Sequence, residues 1–181
     1  MATFLVLLML GISPQTDSLQ RIRTTSPYIQ AILSEVGEKS PTLQSIVRRI
    51  AGSNVIVYVT CQQFSTNVLN GRTIWTEASG DARYLRVEVD CMLSRTNLVT
   101  ILGHELQHVA EIADAPDVID VRSFAKLFKS IGYVSCDGYK GEQFETNAAL
   151  AAGKRVRQEF LHRWPVGDRV VASARSGVPA E

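Results

Sequence analysis

The feature that most restricts this chain is the segment His-Glu-Leu-Gln-His at residues 104–108. The pattern H-E-x-x-H works on an α-helix, because one helical turn brings the two histidines onto the same face. Two imidazoles placed in this way can hold a zinc ion, and the carboxylate of Glu105 lies beside them as a general base. The segment therefore predicts a helix that carries the site of a zinc-dependent (Zn2+) hydrolase.

The residues around the motif favour a helix with one buried side. At about 100° per residue, its apolar residues fall within one narrow arc; they are Leu98, Leu102, Leu106, Val109 and Ala113. Because His104 and His108 lie nearly opposite this arc, we expect them to face a cleft. Ser94 or Thr96 is expected to cap the N-terminus of this helix. The alternative is a solvated helix face with two histidines and an unrelated glutamate.

Composition is that of an ordinary globular domain. A chain of 181 residues with 45% hydrophobic and 20% charged residues can bury a substantial core. The formal net charge of +1 gives no reason to expect nucleic acid as a partner. We expect no stable transmembrane anchor.

The N-terminus is a candidate export signal. Residues 4–10 form an apolar run with the length of a signal-peptide core, too short to span a bilayer. If residues 1 to about 18 are a signal peptide, the protein is periplasmic or secreted; otherwise it is cytoplasmic. The alternative for residues 1–20 is a buried strand or helix, since no basic residue precedes the run and its cleavage sites are imperfect.

Periodicity predicts an α+β fold for a single domain at residues 21–164, followed by a partly disordered tail at residues 165–181. Pro27 and Pro41 each begin an amphipathic helix, and Gly37 and Gly52 are the expected ends. Further predicted elements are a strand at 54–60, a hairpin of 71–76 with 83–89, helices at 121–131 and about 142–162, and a short strand at 169–172. The helix at 121–131 is expected to bury Phe124, Leu127, Phe128 and Ile131.

A catalytic zinc requires a third protein ligand. Glu111 and Asp114 follow on the motif helix, but the helix would continue through Glu111 and carry Asp114 away. Glu145 is the preferred candidate, because its predicted helix face is otherwise apolar and a carboxylate there needs a compensating cation; that face also holds Ala148, Ala149, Ala152, Val156 and Phe160. Gly153 would let this helix approach the motif helix closely. Glu145 could instead pair with an arginine or cap its own helix, and Glu142 is the next candidate.

With these residues the chain resembles the zincin metallopeptidases, and most closely the gluzincins, in which a glutamate on a later helix completes H-E-x-x-H. The resemblance covers about residues 83–162. It implies zinc ligation by His104, His108 and Glu145, with Glu105 as the general base in the hydrolysis of a peptide or protein substrate. It also implies a small zincin-like domain in which a short mixed or antiparallel sheet accompanies the packed helices. The strand at 83–89 would be the edge strand that pairs with an extended peptide.

A group that stabilises the oxyanion is also expected in such a site. Tyr133, Tyr139, Arg83 and His162 are the candidates.

Two other functions remain open. A peptide deformylase-like hydrolase would use an upstream cysteine, Cys61 or Cys91, as its third ligand, although Cys61 at the end of a strand is more simply a small buried residue. The other alternative is a non-catalytic metal-binding or degenerate peptidase-like interaction domain.

Overall fold

A computed structural model describes residues 19–64, 69–135 and 143–163. Its elements in chain order are β1 (Ile22–Thr24), α1 (Pro27–Lys39), α2 (Pro41–Ala51), β2 (Val55–Cys61), β3 (Gly71–Ser79), β4 (Ala82–Val89), α3 (Arg95–Ala113), α4 (Val121–Ile131), β5 (Tyr133–Ser135), β6 (Gln143–Glu145) and α5 (Asn147–Arg163). The predicted α+β class is confirmed. The predicted export signal, Tyr139, Glu142, the strand at 169–172 and the tail at 165–181 lie outside the described residues.

Four strands form a mixed sheet in the order β1-β2-β4-β3. β2 pairs in parallel with both β1 and β4, whereas β3 pairs antiparallel with β4. The predicted hairpin is therefore confirmed, and its turn contains Gly80 at φ 57°, a conformation that favours glycine. The predicted edge position of residues 83–89 is wrong. β4 lies inside the sheet because β2 pairs with its other side, and β3 is the edge strand.

Serine followed by proline begins both N-terminal helices. The hydroxyls of Ser26 and Ser40 accept hydrogen bonds from backbone N–H groups in the first turns of α1 and α2. The predicted end of α1 at Gly37 is wrong, because glycine permits a helix to end without imposing it. The helix continues to Lys39, where Ser40 and the following proline stop it.

Helix α3 lies at the centre of the fold. It contacts β2, β3 and β4 of the sheet and also packs against α2 and α5. The predicted apolar stripe of α3 is fully or almost fully buried. Its opposite side is also covered over most of its length, so that His108 is buried rather than exposed in an open cleft.

Glycines allow α3 and α5 to approach closely, as predicted from Gly153. A Cβ on Gly153 would lie 3.0 Å from the carbonyl oxygen of Thr100, and one on Gly103 would lie 2.8 Å from Cγ2 of Val156. The predicted inner face of α5 is buried at Ala149, Ala152, Val156 and Phe160, but Ala148 is exposed. On α4, Phe128 is buried as predicted, whereas Ile131 at the end of the helix is 47% exposed.

A disulfide joins Cys61, the last residue of β2, to Cys91, which follows β4. The interpretation of Cys61 as a small buried residue is wrong, because it is exposed. Neither sulfur is free to ligate a metal as a thiolate, so the cysteine ligand of a deformylase-like site is excluded as well.

Within the described residues, no helix has both the length and the apolar character required to cross a membrane.

Candidate metal centre

The structure brings His104, His108 and Glu145 together. One potential ligand atom from each residue lies within 4.8 Å of the others. Nε2 of His104 is 3.3 Å from Oε2 of Glu145, and Nε2 of His108 is 3.5 Å from Oε1 of the same carboxylate. The three residues that were predicted as a ligand set therefore converge on one point.

Glu145 reaches this point from a strand rather than from a helix. It is the last residue of β6, and α5 begins only at Asn147. The hydroxyl of Thr146 accepts a hydrogen bond from the N–H of Ala149 and so caps α5 after Glu145. The prediction that Glu145 belongs to the long helix is wrong, because this threonine cap moves the start of the helix past it.

The three residues could hold a metal ion. Ligands at the usual zinc distances lie about 3.3 Å apart along the edge of a tetrahedron. The distance from Nε2 of His104 to one oxygen of Glu145 is 3.3 Å, and that from Nε2 of His108 to the other oxygen is 3.5 Å. One donor atom from each of the three residues lies within 4.8 Å of the others. Two imidazole nitrogens and one carboxylate form a common donor set for zinc, with a fourth position left for water or substrate. These three residues could therefore hold the ion.

Interactions within the cluster favour a negative charge on Glu145 and a positive charge on His108. Burial raises the pKa of Glu145, but hydrogen bonds from His104 and His108 outweigh it and lower the pKa to about 2. Burial lowers the pKa of His108, but its contacts with Glu111 and Glu145 raise it to about 9. In the absence of a metal, a proton on His108 thus supplies positive charge that a bound cation would replace.

Glu105 lies buried between α3 and the edge strand. Its Oε2 accepts a hydrogen bond of 2.9 Å from the hydroxyl of Thr73 on β3. Gly71, also on β3, makes room for this carboxylate, since a Cβ there would lie 3.0 Å from Oε1 of Glu105. Burial raises the pKa of Glu105, while the neighbouring histidines lower it. A raised pKa suits a carboxylate that accepts a proton near neutral pH.

Glu111 has a role that sequence reasoning missed. It was an alternative third ligand, but it is not among the three residues whose potential ligand atoms lie together. Its Oε2 lies 2.9 Å from Nδ1 of His108, and its Oε1 accepts a hydrogen bond of 2.7 Å from the hydroxyl of Thr146. The spacing of three residues between His108 and Glu111 on a helix was the available signal.

Asp114, the other alternative ligand on α3, faces away from the cluster. Its carboxylate pairs with Arg49 of α2 at 2.5 Å, and its side chain is half-exposed. The helix carries it away from the histidines, as the sequence argument expected. This candidate is therefore wrong.

Two of the proposed oxyanion-stabilising residues are also wrong. Arg83 is buried and donates to the carbonyl oxygens at the end of α3 and in the following turn, so it holds the helix terminus. His162 is exposed near the far end of α5, roughly 20 Å along the helix from its start. Tyr133 stays a candidate, because it lies directly opposite Glu145 in the β5–β6 pair and residues so paired project to the same face.

An aromatic cluster adjoins the centre and was not predicted as a unit. The ring of Phe128 lies 5.3 Å from that of His108 and 4.9 Å from that of Phe124. Trp75 of β3 extends the cluster, with its ring 6.4 Å from Phe124, and Phe144 stacks on Phe128 from the other side. Aromatic side chains thus join the second histidine to the edge strand.

Comparisons with protein-family models, with curated proteins and with solved structures give no significant match for this chain. The chemistry of the site is therefore the basis for assigning a function. The site combines three potential metal donors with the buried carboxylate of Glu105, which contacts strand β3.

Proposed function

We propose that the protein is a zinc-dependent metallopeptidase of the gluzincin type. The observation that carries this proposal is the convergence of His104, His108 and Glu145 beside the buried carboxylate of Glu105. Zinc bound there would supply a water nucleophile activated at neutral pH and would polarise the carbonyl of the scissile bond.

The protein's own groups have distinct roles in this proposal. His104 and His108 would hold the zinc ion through their Nε2 atoms, and Glu145 would hold it through its carboxylate. Glu105 accepts the proton of the attacking water on a carboxylate oxygen and returns it to the nitrogen of the leaving amine. The hydroxyl of Thr73 orients Glu105 from the sheet side.

The edge strand supports a peptide as the substrate. Among the described residues, β3 pairs only with β4, so its other edge can offer backbone donors and acceptors. An extended peptide can pair with such an edge through main-chain hydrogen bonds. Because Gly71 and Thr73 of β3 contact Glu105, a peptide held at this edge would lie next to the general base.

The disulfide supports an exported protein. Disulfides persist mainly in oxidising compartments such as the periplasm or the extracellular space. The bond between Cys61 and Cys91 is therefore consistent with a periplasmic or secreted peptidase.

Exchange of Glu105 for glutamine tests the catalytic role. We expect Glu105→Gln to retain about one zinc per chain, because the ligands are intact, and to lose about 10²- to 10⁴-fold of the hydrolysis rate, because the base is gone. The measurements are metal analysis and cleavage of an unfolded protein substrate. Glu38→Gln, an exposed change on α1, is the matched control and should alter neither quantity.

The ligand set is tested in the same assays. Glu145→Ala should lose zinc, as should His104→Ala. A parent protein without zinc, or a Glu105→Gln variant that cleaves as fast as the parent, would show the proposal to be wrong.

A further inference from the structure

We propose that Glu111 is a positioning residue that holds two of the metal ligands, His108 directly and Glu145 through Thr146. This inference rests on the proposed zinc site and deepens it. It assigns to a buried carboxylate the task of fixing the donor atoms before a metal arrives.

The contact with His108 selects the form of the imidazole that can bind a metal. A neutral imidazole that offers the lone pair of Nε2 carries its proton on Nδ1. A carboxylate can only accept hydrogen bonds, and Glu111 Oε2 lies 2.9 Å from this Nδ1. Glu111 thereby fixes both the tautomer and the orientation of the ring. Such partners of metal-binding histidines also increase the basicity of the ligand.

The contact with Thr146 extends the same control to Glu145. The hydroxyl of Thr146 accepts the N–H of Ala149 at 3.0 Å, so its own proton is available to Oε1 of Glu111 at 2.7 Å. The backbone N–H of Thr146 donates to Oε1 of Glu145 at 2.8 Å. Glu111 therefore anchors the residue whose amide orients the third ligand.

Burial makes this arrangement rigid. Glu111 is 8% exposed and Thr146 is 2% exposed, so water cannot readily replace either contact. Both oxygens of the carboxylate are occupied, one by a side chain of α3 and the other by the cap of α5. One residue thus couples the ligand on α3 to the ligand on β6.

Zinc affinity of the Glu111→Gln variant tests the proposal. Glutamine has nearly the same size but only one acceptor oxygen, so it cannot satisfy both donors. We expect the Kd for zinc, measured by competition with a chelator, to rise about 10- to 100-fold. Asp114→Asn, three residues further along α3 and in a surface ion pair, is the matched control and should leave the Kd unchanged.

Two substitutions of Thr146 distinguish a role in positioning the metal ligands from a role in stabilising the fold. Thr146→Val removes the hydroxyl at almost constant volume, whereas Thr146→Ser keeps it. We expect a higher zinc Kd for Thr146→Val than for Thr146→Ser. A purely structural role would lower the unfolding midpoints of the metal-free variants while leaving the zinc Kd of the folded protein unchanged.

The outcomes distinguish this inference from the proposed function. If the parent binds zinc and Glu111→Gln binds it equally well, Glu111 is not a positioning residue and the zinc site stands. If Glu111→Ala loses all zinc while Glu145→Ala keeps it, Glu111 is itself the third ligand and the inference is wrong. A parent that binds no zinc would overturn both proposals. Should Glu111→Gln fail to fold, equal zinc affinities of Thr146→Val and Thr146→Ser would overturn the inference.

Discussion

Polar side chains in the candidate site form hydrogen bonds with one another, although most of the site is buried. Glu105 and Glu111 are buried carboxylates, and each accepts a hydrogen bond from a threonine hydroxyl. Among the described residues, every fully buried side-chain nitrogen or oxygen has a hydrogen-bond partner. An unpaired polar group in the same place would cost about 1–3 kcal/mol. The site can therefore concentrate charge without losing the stability of the core around it.

These charges make the stability of the metal-free protein depend on pH. The pKa of His108 is raised from 6.5 to about 9, so its contribution is complete below pH 6.5 and is lost as the pH rises through about 9. The pKa of Glu145 is lowered from 4.5 to about 2, so its contribution is complete above pH 4.5 and is lost as the pH falls through about 2. We expect these two groups to contribute most between pH 4.5 and 6.5.

Thermal unfolding in the presence of a chelator measures this dependence. The midpoint should fall between pH 6.5 and 9 in the parent, and His108→Gln should flatten this part of the curve. His162→Gln, at an exposed histidine on α5, is the control and should keep the slope of the parent. An unchanged slope in His108→Gln would mean that this histidine does not contribute in the expected way.

At the level of secondary-structure elements, the contact between α3 and α5 determines how the two halves of the site meet. Gly103 and Gly153 lie in this contact, and a side chain at either position would approach atoms of the opposite helix. His104 is next to Gly103, and its Cβ lies 3.3 Å from the position that a Cβ on Gly153 would occupy. The separation of the two helices therefore sets the position of the first histidine relative to the start of α5.

An alanine at Gly103 tests this contact. In an isolated helix, replacing glycine by alanine would stabilise the helix by about 1 kcal/mol. In this protein the new Cβ would lie 2.8 Å from Val156, and such overpacking costs about 1–3 kcal/mol of stability. We expect Gly103→Ala to lower the free energy of unfolding by up to about 2 kcal/mol in chemical denaturation, which is the overpacking cost less the gain in helix propensity.

Gly37 of α1 offers a matched control, because a Cβ there meets no atom within 4 Å. Gly37→Ala should stabilise by up to about 1 kcal/mol. Val156→Ala should relieve the clash, so its effect combined with Gly103→Ala should be smaller than the sum of the two. Equal effects at Gly103 and Gly37 would contradict the close contact.

Local signals predicted these elements well, and non-local contacts did not follow from the sequence. The starts of α1 and α2 were correct because Ser26 and Ser40 lie directly before prolines. His104, Glu105 and His108 could be identified because one helix sets their spacing. The edge strand was misassigned, since the pairing of β2 with β4 joins segments that are distant in sequence. Glu145 was chosen because a carboxylate on an apolar helix face needs a compensating cation. The structure places it beside the histidines but on a strand, because Thr146 caps the helix after it.

For the molecule as a whole, the Cys61–Cys91 disulfide links two strands whose pairing is parallel. Val55–Cys61 and Ala82–Val89 pair along their full lengths, and the bond lies at their carboxyl ends. Parallel pairing requires a long connection, which here contains the edge strand that contacts Glu105. The bond therefore stabilises the region of the sheet that faces Glu105.

Removal of this bond should destabilise the protein. For a sequence separation of 30 residues, the loss of chain entropy in the unfolded state predicts about 3–4 kcal/mol. We expect the double variant Cys61→Ser/Cys91→Ser to show a loss of this size in chemical denaturation. A dithiol reductant should lower the stability of the parent to that of the variant and leave the variant unchanged. A parent whose stability does not change with the reductant would show that this bond does not stabilise the protein.

The same disulfide also closes the chain into a covalent ring that contains both strands of the β3–β4 hairpin. A cut in the backbone between the two cysteines opens this ring without dividing the protein into two molecules. A nicked chain would keep its full mass until the disulfide is reduced, and only then would it separate into two fragments. For a protein that is proposed to cleave peptides, damage to its own edge strand would thus be invisible on a non-reducing gel.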